Sequence, residues 1–224
     1  MSNRKKDTAS ADQIKDRLRR ESGRLLSDLA YCQEFLSRDY LRSSHSVIEL
    51  KASELGAIHS AHWIYFSCEE CAISATARLW EGSNDAISFP TVRSMRCELW
   101  GTDVDDPSEF ETSWRQRYDR LHCSDTKTEL QVLRDEELGH NIVVSGKRIR
   151  SELHRDLGEV GDRTFLLANG DILNFCEDTA RLLFQTVCAF SEHRKFLESH
   201  SKRFELDMSL HRKAHGAFLD LLKA

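Results

Sequence analysis

Ala11-Asp-Gln-Ile14-Lys-Asp-Arg-Leu18-Arg-Arg-Glu-Ser-Gly-Arg-Leu25-Leu-Ser-Asp-Leu29-Ala-Tyr-Cys32-Gln-Glu-Phe-Leu36-Ser-Arg38 decides the fold class. Its apolar residues Ile14, Leu18, Leu25, Leu29, Cys32 and Leu36 recur at helical intervals, so they form a single stripe with charged residues around it. The rest of the chain agrees. Only Pro90 and Pro107 interrupt its 224 residues, where average usage would place about eleven prolines. With 31% charged and 8% aromatic residues, this composition implies an all-α protein and argues against a sandwich or barrel.

A second long helix is expected over about 53–80, with Leu55, Ile58, His62, Phe66, Ile73, Ala77 and Trp80 on its stripe. Ser88 and Pro90 open a short third helix running to Leu99. Ser108-Glu-Phe-Glu111 and Thr126-Lys-Thr-Glu129 have capping-box form, and Gly139 marks a stop. Residues 141–170 mix a β-like Ile142-Val143-Val144 with glycines. Asp171 is expected to cap the last strong helix, with Ile172, Cys176, Leu183, Val187 and Phe190 on its stripe. Phe218-Leu-Asp-Leu-Leu222 reads as a final short helix.

Charge and motifs exclude several functions. A formal charge of −5 excludes a wholly basic nucleic-acid binder, though not a local basic groove. There is no apolar run of membrane length and no apolar leader. Seven cysteines, an odd number in a chain of this size, read as reduced thiols in a cytoplasmic protein. No glycine-rich phosphate loop, G-x-S-x-G elbow or calcium loop is present. His59, His62, Cys68 and Cys71 have ligand-like spacings, but nine helical residues turn through about 900° and place His59 opposite Cys68. One ion cannot reach both pairs, so neither a metal nor another cofactor is expected. His62 and Glu69 lie about two turns apart on an apolar stripe and must have partners if buried. The simplest expectation is a satisfied core histidine and a partly exposed carboxylate.

The remaining constellation is Leu133-Arg134-Asp135-Glu136-Glu137-Leu138-Gly139-His140-Asn141. An arginine some six residues before a histidine says little alone, since Arg115/His122, Arg117/His122, Arg148/His154 and Arg194/His200 are similar pairs. Context separates this one. On a helical projection Arg134 falls at about 40° from Leu130, between Leu133 and Leu138. An arginine inside an apolar stripe needs a partner or an interface, and Glu137 at i,i+3 is the local candidate for an ion pair.

This block resembles the R-x(4–6)-H motif of the HEPN superfamily (higher eukaryotes and prokaryotes nucleotide-binding). Trp63-Ile-Tyr-Phe and Arg78-Leu-Trp-Glu-Gly-Ser-Asn-Asp-Ala-Ile-Ser88-Phe-Pro look like the AbiU-type abortive-infection branch. The resemblance implies a HEPN-type antiparallel helical bundle over 11–195, after a polar arm (1–10) and before a C-terminal helical extension (196–224). It implies a homodimer, and a metal-independent endoribonuclease of a toxin–antitoxin or antiphage defence system, with RNA as substrate and an antitoxin or defence-system partner. Arg134 and His140 would be the catalytic pair, with Asp135, Glu137 and Asn141 in support. Ile142 stands where a tyrosine marks the adenylylated subgroup, which points away from that subgroup. Arg115, Arg117, Arg120, Lys147, Arg148 and Arg150 are the candidate RNA-contacting cations. The alternative from another class is a non-catalytic HEPN dimer that binds a nucleotide or protein, with Arg134 used structurally.

Overall fold

The computed structural model describes residues 10–37, 57–82, 87–95, 107–134, 159–160, 163–164, 166–190 and 200–221. These residues are helical: α1 (Ala11–Ser37), α2 (Ala57–Leu79), α3 (Phe89–Ser94), α4 (Pro107–His122), α5 (Asp125–Leu133), α6 (Gly170–Ala189) and α7 (His200–Leu221). A two-residue antiparallel pair, β1 (Glu159–Val160) with β2 (Arg163–Thr164), and a 3₁₀ turn at Leu166–Ala168 precede α6. The protein is all-α.

The stripe of α1 explains its central place. Ile14, Leu18, Leu25, Leu29 and Cys32 are essentially inaccessible, and Leu36 packs partly buried against them. The helix buries Leu26, Ala30, Tyr31 and Phe35 as well, so its apolar arc is wide enough to serve three neighbours, α2, α6 and α7. Side-chain contacts set these packings: Phe35 stacks on Tyr65 of α2 with centroids 4.5 Å apart, and the Tyr31 hydroxyl donates to the Ala61 carbonyl at 3.3 Å. Toward α7, Arg212 Nε donates to Gln33 Oε1 at 2.6 Å, and Tyr31 meets His215 edge-on at 4.8 Å.

On the other flank α4 lies along α6. The indole N–H of Trp114 donates to Thr186 Oγ1 at 2.9 Å, and that hydroxyl donates to the Leu182 carbonyl at 2.7 Å. The Trp114 indole and the Thr186 hydroxyl therefore both have partners, as a low-dielectric core favours. Trp80, just past α2, does the same through its indole N–H to Thr179 Oγ1 at 3.1 Å.

Three helix starts differ from the sequence reading. The N-cap of α5 is Ser124, not Thr126, which places Asp125 in the first turn where the helix dipole favours an anion. Asn169, not Asp171, caps α6, its side-chain oxygen accepting from the Asp171 N–H at 2.9 Å. Helix α4 already includes Pro107, so Ser108 lies inside it rather than at its cap. Ser88 does precede α3, with Pro90 in the first turn, but the helix covers only Phe89–Ser94, and the 96–99 part of that expectation lies outside the described residues.

The last segment is not a short terminal helix. Helix α7 runs for 22 residues, and its Phe204, Met208 and Leu219 belong to the same core cluster as α1 and α6. Its low overall apolarity hid it, because only one narrow side of the helix is buried. Among the described residues, no helix is long and apolar enough to cross a membrane.

Candidate functional site

Helix α5 delivers Arg134 to the corner where α2 ends. Leu130 and Leu133 are fully buried and anchor the helix, and Arg134 continues it with helical dihedrals (φ −61°, ψ −49°). Its guanidinium forms an ion pair with the carboxylate of Glu81, two residues beyond α2. Three residues earlier, Gln131 Nε2 donates to the Trp80 carbonyl at 3.3 Å. Both bonds hold the end of α5 against an α2 terminus whose last carbonyls lack helical partners. Arg134 is one-fifth exposed and Glu81 one-third, so the pair is partly screened from water without being sealed from it.

The structure pairs Arg134 with Glu81, 53 residues away in sequence; the expected i,i+3 partner, Glu137, lies outside the described residues. A charge in an apolar stripe is stabilised by whichever carboxylate the packing presents, and helix spacing alone cannot identify a distant one. Glu137, Asp135, His140, Asn141, Lys147, Arg148 and Arg150 lie outside the described residues.

The three arginines of α4 have surroundings of their own. Arg115 pairs with Glu111 one turn earlier, and Arg120 Nη2 reaches Asp178 Oδ2 of α6 at 2.8 Å. Arg117 is half-buried, and its burial, with Arg120 and Arg181 nearby, holds it below its ordinary value against the pull of Asp178. The Arg120 contact ties α4 to α6, while the Arg115 pair stays within α4, so both arginines already serve carboxylates of their own fold. This weakens them as phosphate contacts.

Next to the Arg134 corner the structure places a histidine that sequence reasoning set aside. His122, in the last turn of α4, stacks on Tyr118 (5.3 Å, 14°), which stacks on Trp114 (5.2 Å, 19°). The His122 ring also lies 6.2 Å from that of Trp80. Arg93 of α3 covers Tyr118 at 4.9 Å, and Lys127 Nζ stands 3.4 Å from His122 Nδ1. Partial burial first, then the Lys127 and Arg93 charges, lower the His122 value, which favours the neutral ring at physiological pH. The Tyr118/His122 spacing of four residues was a visible signal.

Glu69 is the larger surprise. It is 2% exposed, not partly exposed, and its Oε2 accepts from the Tyr65 hydroxyl at 2.9 Å and from the Leu167 N–H at 2.8 Å. Burial pushes its carboxyl up to about 7, although both donors favour the charged form. Glu69 thereby satisfies the donor of the turn that leads into α6. The side chain of His62 lies outside the described residues; among the described residues Glu69 accepts from Tyr65 and Leu167.

No family model, no curated protein and no solved structure matches this chain.

Proposed function

We propose that this protein is a metal-independent endoribonuclease of the HEPN toxin type, acting as a homodimer in a toxin–antitoxin or abortive-infection system. The observation that supports this reading is the placement of Arg134: a buried helical stripe carries it to an inter-helix corner, where its guanidinium is fixed but still reaches solvent. The catalytic histidine follows six residues later in the sequence as His140. The all-α architecture is compatible with the bundle that the resemblance implies.

RNA carries its own nucleophile, the 2′-hydroxyl. A histidine with an ordinary value near 6.5 moves protons in both directions at neutral pH, so His140 takes the hydroxyl proton or protonates the leaving 5′-oxygen. An arginine stays charged and presents a fork to phosphate oxygens as negative charge develops, the role assigned to Arg134. The products are a 2′,3′-cyclic phosphate and a 5′-hydroxyl. Arg134 must then exchange Glu81 for phosphate, or hold both.

The Arg134–Glu81 pair also favours a second reading, a non-catalytic HEPN dimer in which Arg134 is structural and the protein binds a nucleotide or another protein. Incubating wild type and His140→Ala with total RNA in EDTA separates the two. Cleavage by wild type that the variant loses, with cyclic-phosphate ends, is the expected result. Absent cleavage from two folded proteins overturns the nuclease reading, and equal cleavage by both removes His140 from it.

A further inference from the structure

Cys68 and Cys71 stand one helical turn apart on α2, both half-buried and both free thiols. They line an open groove with Asp28 of α1 and with Trp63, Ile64 and Ser67. Their polar neighbours differ. Arg24 Nη2 of α1 donates to Cys71 Sγ at 3.4 Å, and the Cys71 sulfur holds the guanidinium above its ordinary value. Cys68 instead faces the same groove as the Asp28 carboxylate, and burial pushes this thiol up to about 12. One sulfur thus sits beside a permanent cation, and the other beside a carboxylate able to take its proton.

We propose that Cys68 and Cys71 form an oxidation site, at which a hydroperoxide converts the pair to a disulfide with Cys71 as the attacking sulfur and Cys68 as the resolving one. In the first step the Cys71 thiolate attacks the terminal peroxide oxygen. The O–O bond breaks, the departing hydroxide is protonated to water (or the alkoxide to an alcohol), and Cys71 becomes a sulfenic acid. Arg24 is placed to balance the charge on sulfur and oxygen during this step. In the second step the Cys68 proton passes to Asp28 and the Cys68 sulfur attacks Cys71. The S–O bond breaks, and the leaving hydroxide takes up that proton as water. Two thiols lose two electrons and the peroxide gains them.

The geometry makes the product reversible. Helical residues three apart hold their Cβ atoms about 5–6 Å apart, whereas a disulfide needs about 3.8 Å. The turn from Cys68 to Cys71 must tighten, and a strained disulfide is readily reduced. Closure also changes the surroundings of Asp28, whose Oδ2 is buried without a hydrogen bond. The helix turn carrying Trp63, which is 58% exposed, lies immediately before this strain, so the groove changes shape with oxidation state.

The test treats the reduced full chain with one equivalent of hydrogen peroxide and maps the thiols by differential alkylation and mass spectrometry. Cys123, exposed at the end of α4, serves as the internal control. The expected result is a disulfide across Cys68 and Cys71 that forms before Cys123 oxidises and that dithiothreitol reverses. With Cys68→Ser, a dimedone adduct should accumulate on Cys71, because the sulfenic acid is no longer resolved. With Arg24→Gln, checked for native circular dichroism, disulfide formation should slow by about tenfold. Cys123 oxidising first, a dimedone adduct on Cys68 in Cys71→Ser at the wild-type rate, or an Arg24→Gln rate equal to wild type would each overturn the assignment.

Discussion

Replacing Glu69 by Gln tests how the core of this protein carries a carboxylate. In the folded chain the group lies at about 7, against an ordinary value of 4.5, with burial as the dominant cause. A carboxyl raised on folding favours the native state when protonated. Its contribution is therefore complete below its ordinary value and is lost as pH rises through about 7. At about 1.4 kcal/mol for each tenfold change, the full swing is about 3 kcal/mol, most of it between roughly pH 5 and pH 8. Gln cannot titrate, but its amide oxygen can still accept from the Tyr65 hydroxyl and the Leu167 N–H. Urea unfolding of wild type and Glu69→Gln, followed by circular dichroism at both pH values, isolates the effect. Asp28, raised to about 6 by burial, and the lowered His122 and His215 titrate in both proteins and cancel in the difference. Wild type should lose about 2–3 kcal/mol more than the variant on going from the lower to the higher pH. Equal pH slopes for the two proteins would refute the argument that burial outweighs the two hydrogen bonds at Glu69.

Two further substitutions test the packing. Phe204→Ala removes a ring that meets Phe184 edge-on at 6.0 Å and lies under the Arg181 guanidinium at 4.9 Å. It should cost about 3–5 kcal/mol in urea unfolding. A loss below about 1 kcal/mol would mean that α7 docks on the bundle without sharing its core. Thr186→Val keeps the side-chain shape but leaves the buried Trp114 indole N–H without its acceptor, a cost of about 1–3 kcal/mol. Adding Trp114→Phe to it should be less than additive, and strict additivity would show that the bond contributes nothing.

The helical class and the stripes of α1 and α6 were legible because they depend on residues three or four apart. Burial of Ile14, Leu18, Leu25 and Leu29 follows directly from that period. Capping was legible only approximately: Ser124 and Asn169 took the positions assigned to Thr126 and Asp171. Several residues near a helix start can satisfy the same free N–H groups, and packing chooses among them. The length of α7 was not legible, because its buried side is thin and its partner, α1, lies almost two hundred residues away in sequence.

For the candidate site, the sequence alone singled out Arg134 as a charge in an apolar stripe that needs a partner. Only the tertiary structure decided that Glu81 meets this guanidinium, that Glu69 is buried under the entry to α6, and that Arg120 answers Asp178. Periodicity is a local property, and it reports which side of a helix faces inward. The carboxylate that meets a given guanidinium is set by how whole helices pack, and pairs separated by 53 or 98 residues leave no trace in local spacing.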